Sequence, residues 1–421
     1  MSENVRKMPK AKKSSRTVDF IKRAFHTGGI DAIFCCLVMI IFAFGVTMMY
    51  SASYAYANAN ASSPDVYFKS QLIWGALGFA AMIIISKIDY RILNSFLTPV
   101  IFVGMIGLLV LTLAVNAGKP VKRWINLGFG QFQPSEISKF VLILTMAYLI
   151  CILYKPLHTE KGKRAMPSIG RLTRPEQALL GFFDTKLKCT FALAFVVIIF
   201  CGLVALESHL SCTILLFCMG VSMMWLAGVD KKWFALLGIV VVIAVVYVVY
   251  IDTGILQKLG GFGYDRVLTW KTKQATEGAD RWQQGLLAIG SGGPFGVGFA
   301  NSKQKQLYIP EPQNDFIFAI ICEELGFLGA AVVVLLFAAL VCRGFVIATK
   351  ANDVFGSLLV TGIMMQIGLQ VTMNIAVVTD TIPNTGIALP FFSYGGTALV
   401  IIFAEMGVVL SVSKNGRLEK Q

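Results

Sequence analysis

"DFIFAIICEELGFLGAAVVVLLFAALVCR", residues 315 to 343, decides the class of fold. Between its terminal Asp315 and Arg343 the only charges are Glu323 and Glu324, and the apolar remainder exceeds the ~20 residues that cross a ~30 Å hydrocarbon core. Comparable runs recur at roughly 31–51, 71–86, 93–115, 135–154, 190–206, 210–228, 233–251, 354–378 and 396–413. The pattern predicts an all-α polytopic membrane domain over 30–413, with ten transmembrane helices and one large extracytoplasmic loop, 252–314, between helices 7 and 8. With 56% hydrophobic and only 14% charged residues, a soluble fold is excluded.

Basic residues set the expected orientation. Eight Lys or Arg stand in the tail 1–29 and another eight in the loop 155–189. Lys231, Lys232, Arg343, Lys350, Lys414, Arg417 and Lys420 fall on the same side, so both tails, 1–29 and 414–421, are expected in the cytoplasm. The net charge of +14 is therefore a topology signal favoured by anionic headgroups, and no nucleic-acid partner follows from it. All nine cysteines lie in or at the edge of expected helices and read as small buried hydrophobes, and the three histidines lack ligand spacing. "GSGGPFGVG", 290–298, has no preceding strand and is not a nucleotide-binding loop. The long loop is expected to be ordered, because Trp270, Trp282, Phe295, Phe299 and Tyr308 give it apolar surface.

Polar groups placed where they are costly mark the candidate site. A charge at the centre of a membrane helix costs about 2.5–3.5 kcal/mol on insertion scales. In "QPSEISKF", 133–140, Pro134 suits the first helical position, Glu136 the first turn, and Glu136 and Lys139 share one face. The pair serves either structure or function. Lys119, Lys122 and Arg123 in "GKPVKRWINLG" run against the positive-inside bias and, with Trp124 at headgroup level, suit an anionic ligand or an interfacial anchor. The stretch 380–396 interrupts two spans with Pro383, Gly386 and Pro390, which is tolerated only in a protein-buried or wet setting. Asp315, behind Pro310 and Pro312, reads as a helix cap or as a carboxylate with chemistry to do, while Glu323 and Glu324 read as packing carboxylates.

Three long stretches, "GKPVKRWINLGFGQFQPSEISKF", "WQQGLLAIGSGGPFGVGFANSKQKQLYIPEPQNDFIFAIICEELG" and "IPNTGIALPFFSYGG", resemble, in order, signature regions of the SEDS (shape, elongation, division and sporulation) family. "NSKQK", 301–305, is closer to its FtsW and SpoVE branch than to RodA. The resemblance implies an inverting peptidoglycan glycosyltransferase of the bacterial plasma membrane, which polymerises lipid II at the outer face and releases undecaprenyl pyrophosphate. It implies a class B penicillin-binding protein as partner, together with other divisome or elongasome membrane proteins. Carried onto this chain, it makes Asp315 the general base and Arg123, Trp124, Glu136, Lys139, Lys305, Ser393 and Tyr394 the substrate groove. A divalent cation, Mg or Mn, held with help from Asp315 and Glu136, would fit the diphosphate leaving group; no organic cofactor is expected.

The sequence departs from the family pattern twice. Gln313 and Asn314 stand where His-Thr is common, and Glu207, Ser208, His209, Leu210, Ser211 and Cys212 replace a Glu-Pro-Asp-Leu-Gly-Thr stretch. A lipid flippase or transporter would use similar broken helices, but it predicts a repeat that the chain lacks. A non-catalytic scaffold gives Asp315 and the outer basic residues no task.

Overall fold

The computed structural model describes residues 29–61, 63–118, 122–126, 131–154, 185–246, 270 and 279–418. In chain order the helices are α1 (Ala32–Asn60), α2 (Val66–Lys87), α3 (Leu97–Val115), α4 (Pro134–Leu149), α5 (Lys186–Leu206), α6 (Leu210–Leu226), α7 (Lys231–Val246), α8 (Ala279–Gly292), α9 (Ile317–Thr349), α10 (Val354–Val378) and α11 (Gly396–Leu418). A 3₁₀ turn, Tyr90–Leu93, links α2 to α3, and a π-helical turn, Ile150–Tyr154, extends α4. A short antiparallel hairpin, β1 (Ile125–Asn126) with β2 (Gln131–Phe132), leads into α4.

Eight helices are long and apolar enough to cross a membrane, which makes this a multi-pass membrane protein. The remaining two expected runs are α6, apolar but shorter, and α7, whose expected end lies outside the described residues. The tail 1–28 and most of the loop 155–189 also lie outside them. Two boundaries differ from the sequence reading. Helix α1 runs on to Asn60, because Ser51 faces a carboxylate and Tyr50 packs on both Tyr54 and Phe68. Helix α8, inside the expected loop, packs along α9.

Two polar layers clamp α1 to α9. At one end Arg343 donates to Asp31 at 2.6 Å. At the other, Lys305 pairs with Glu324 at 2.7 Å, and Ser51 donates to the same carboxylate at 2.7 Å. Asp31 to Ser51 and Arg343 to Glu324 are twenty and nineteen residues, so the layers stand about 30 Å apart at the helical rise, one hydrocarbon thickness.

The glycine-rich stretch is a backbone crossing. Gly326 (φ 67) breaks α9, and a Cβ there would stand 2.3 Å from the Gly296 nitrogen. Across the break, Val297 and Gly298 N–H donate to the Glu323 and Glu324 carbonyls, and Phe327 and Leu328 N–H donate to Gly293 and Pro294. Two carbonyls and two N–H groups at the break are satisfied in this way.

Candidate active site

Asp315 lies in the turn before α9. The N-cap position of that helix is held by Phe316, one residue after Asp315. The backbone of Asp315, and that of the two residues before it, is held carbonyl by carbonyl. Tyr394 N–H donates to Gln313 O at 2.9 Å, the Ser393 hydroxyl to Asn314 O at 2.7 Å, and the Asn374 amide to Asp315 O at 2.9 Å. Ser393 is buried, and its oxygen also accepts from Leu389 N–H, so it clamps the Asp315 turn rather than lining an open groove. The Tyr394 hydroxyl meets that of Ser70 at 3.2 Å, and its ring packs edge-on against Tyr67.

The second centre is the Glu136–Lys139 pair. Pro134 opens α4 as expected, Glu136 sits in the first turn, and Lys139 Nζ donates to Glu136 at 2.7 Å. Lys139 is only 2% exposed and donates also to Gln370 Oε1 at 3.3 Å. Gln370 in turn donates to Ala388 O at 2.9 Å, and Asn374, one helical turn on, to Ile387 O at 2.6 Å. One face of α10 therefore ties the Glu136–Lys139 pair, the interrupted 380–396 segment and the Asp315 turn into one unit. Gln366, a turn earlier, donates to both oxygens of Glu405 on α11. The sequence reading missed Gln366, Gln370, Asn374 and Glu405. A polar residue at every fourth position of an apolar helix was the available signal.

Beside the pair, the segment that departs from the family pattern packs on the start of α4. His209 Nδ1 lies 2.9 Å from Gln133 Nε2 and 3.1 Å from the Ser135 hydroxyl, and Ser211 donates to Thr385 O. Glu207 is fully buried with neither carboxyl oxygen hydrogen bonded among the described residues, and burial pushes its pKa up to about 8.

Arg123 is half-buried, its guanidinium 5.9 Å from the Trp124 ring centroid, and its buried Nε has no acceptor among the described residues. Trp124 is 37% exposed. Lys305 belongs elsewhere: it is buried, its ammonium bonded to Glu324 and Ser51, in the clamp between α1 and α9. Glu323 receives the Ser302 hydroxyl and Lys303 N–H, so both glutamates couple elements, as their position in the run suggests.

The described residues show no preformed cluster of cation ligands. They contain no group of three His, Cys, Asp or Glu able to hold one, and Glu136, expected as a ligand, is bonded to Lys139.

Residues 31–418 match the FtsW/RodA/SpoVE family of cell cycle proteins. The chain belongs to this family. Among its relatives are a probable peptidoglycan glycosyltransferase FtsW of Geobacter sp. (strain M18), 32% identical over 92% of this chain and 98% of the relative. Stage V sporulation protein E of Bacillus subtilis is 32% identical, again over 92% and 98%. The family fold also appears in solved structures. A chain from a peptidoglycan synthase complex superposes with a TM-score of 0.67 at 24% identity, over 92% of this chain and 98% of its own length. RodA of Thermus thermophilus superposes with a TM-score of 0.59 at 22% identity, over 92% and 97%.

Proposed function

We propose that this protein is a peptidoglycan glycosyltransferase that polymerises lipid II at the outer face of the bacterial plasma membrane, with the Asp315 end of the bundle outside and both tails in the cytoplasm. The observation that carries the reading is the three-point clamp on residues 313–315, which fixes the turn that bears the Asp315 carboxylate. The curated relatives that share almost the whole chain are named for the same activity.

A sugar hydroxyl is a weak nucleophile at neutral pH. Asp315 accepts the proton of the acceptor's 4-hydroxyl as that oxygen attacks the donor's anomeric carbon; the bond to the lipid diphosphate breaks, and the diphosphate leaves with the electron pair. General-base catalysis of this kind contributes ~10²–10⁴-fold. Arg123 offers an unspent guanidinium N–H to the departing diphosphate, stacked beside Trp124. Lys139, neutralised by Glu136, acts mainly as the hub between α4 and α10. A class B penicillin-binding protein, crosslinking the strands as they form, is the partner this reading entails.

The test is lipid II polymerisation by the purified protein with its class B partner, comparing wild type with Asp315→Ala and Asp315→Asn. Loss of ~100-fold or more in both variants, with partner binding intact, is the expected outcome. Normal strand synthesis by both variants ends the assignment.

A further inference from the structure

The loop between α8 and α9 folds back on α9 as a rigid hook, 293–308. Its backbone is bonded to α9 across the Gly326 break, with Val297 N–H on Glu323 O at 2.9 Å and Phe327 N–H on Gly293 O at 2.9 Å. Its far side is tied to the Glu323 carboxylate through Ser302 and Lys303 N–H. The hook is thus held at the height of the Lys305–Glu324 layer, which lies one hydrocarbon thickness from the Asp31–Arg343 layer.

Its exposed side chains are mainly apolar, with Asn301, Lys303 and Gln306 as the polar ones. Phe295 is 78% exposed, Tyr308 60%, Leu307 55% and Phe299 48%. Phe327 of α9, whose N–H is bonded to Gly293 O at the base of the hook, is itself 71% exposed and adds to this apolar surface. Backbone bonds to α9 hold the base of the hook in place, and exposed apolar surface of this extent calls for an apolar partner. The only charge on the hook's exposed face is Lys303, suited to a headgroup phosphate, and aromatic rings at this height are characteristic of the bilayer interface.

We propose that the 293–308 hook is a lipid anchor, seated at the headgroup–acyl boundary of the outer leaflet, which fixes the height of the Asp315 turn above the bilayer. The seat follows from the layer spacing and the exposed side chains, and holds whatever reaction the site performs.

The test uses the full chain in nanodiscs of phosphatidylethanolamine and phosphatidylglycerol, with the exposed Cys36 and Cys342 changed to Ser. Spin labels are placed by Phe295→Cys and, independently, Phe299→Cys. Leu335→Cys, exposed further down α9, is the lipid reference, and Asn60→Cys, at the outer end of α1, is the aqueous one. Collision rates with oxygen, which partitions into lipid, and with a water-soluble nickel chelate are then measured. Labels at 295 and 299 are expected to show an oxygen-to-nickel ratio several-fold above that at 60 and approaching that at 335. A ratio equal to that at 60 places the hook in water and overturns the proposal. Low access to both reagents shows that protein covers the patch, and overturns it equally.

Discussion

Asn374 is the residue whose loss should separate positioning from chemistry. Its amide donates to both Asp315 O and Ile387 O, so Asn374→Ala leaves two carbonyls without their donor, each hydrogen bond having contributed about 0.5–1.5 kcal/mol. Polymerisation should fall about tenfold through kcat, with the KM for lipid II little changed, since the Asp315 carboxylate remains but its turn is loosened. An unchanged kcat would show that the clamp is not needed for turnover. Glu207 gives a pH signature. Folded, it keeps its proton to about pH 8, whereas its ordinary value is 4.5. Between those values the folded chain binds more protons than the unfolded one, so stability falls as pH rises. Glu207→Gln removes that proton uptake. Its melting temperature should gain on wild type progressively from pH 5 to pH 8, and parallel curves would refute the buried, protonated state.

Single elements show where sequence patterns stop being legible. The apolar runs were readable because a spanning helix needs only local length and hydropathy. The Glu136–Lys139 pair was readable because spacing of three on one helix dictates contact. The Asp315 clamp was not, since it joins residues 59 and 79 positions apart. Nor was the role of the glycine stretch: its lack of a preceding strand argued against a nucleotide loop, but nothing local showed that it is a crossing of two backbones. That crossing predicts the effect of Gly326→Ala: about 1–3 kcal/mol of backbone strain at φ 67, added to a Cβ placed 2.3 Å from the Gly296 nitrogen. Gly296→Ala meets the Glu324 carbonyl at 2.2 Å and should destabilise the protein comparably, whereas Gly290→Ala, with open space around its Cβ, should not. Thermal unfolding of the three variants in one detergent checks the order.

Across the whole molecule, the two polar layers that clamp α1 to α9 differ in kind. The Asp31–Arg343 pair is partly wet, its Arg343 side chain 24% exposed, and pairs of that sort contribute about 0–1 kcal/mol. Lys305 and Glu324 are 4% and 0% exposed, and the loss of one partner from a buried pair costs about 3–5 kcal/mol because the other charge is left uncompensated. Lys305→Ala and Glu324→Ala should therefore each unfold α1 and α9 around the Ser51–Glu324 contact at much lower temperature than Arg343→Ala does. The same argument makes the double replacement, Lys305→Met with Glu324→Leu, milder than either single change, since no orphan charge remains and Ser51 can return its hydroxyl to its own helix. Catalysis adds the discriminating measurement. If Lys305 serves only as a clamp, the double variant should polymerise lipid II at close to the wild-type rate below its melting temperature. A rate that stays low in the stable double variant would mean that Lys305 meets the diphosphate after all, in a conformation where the Lys305–Glu324 layer has opened.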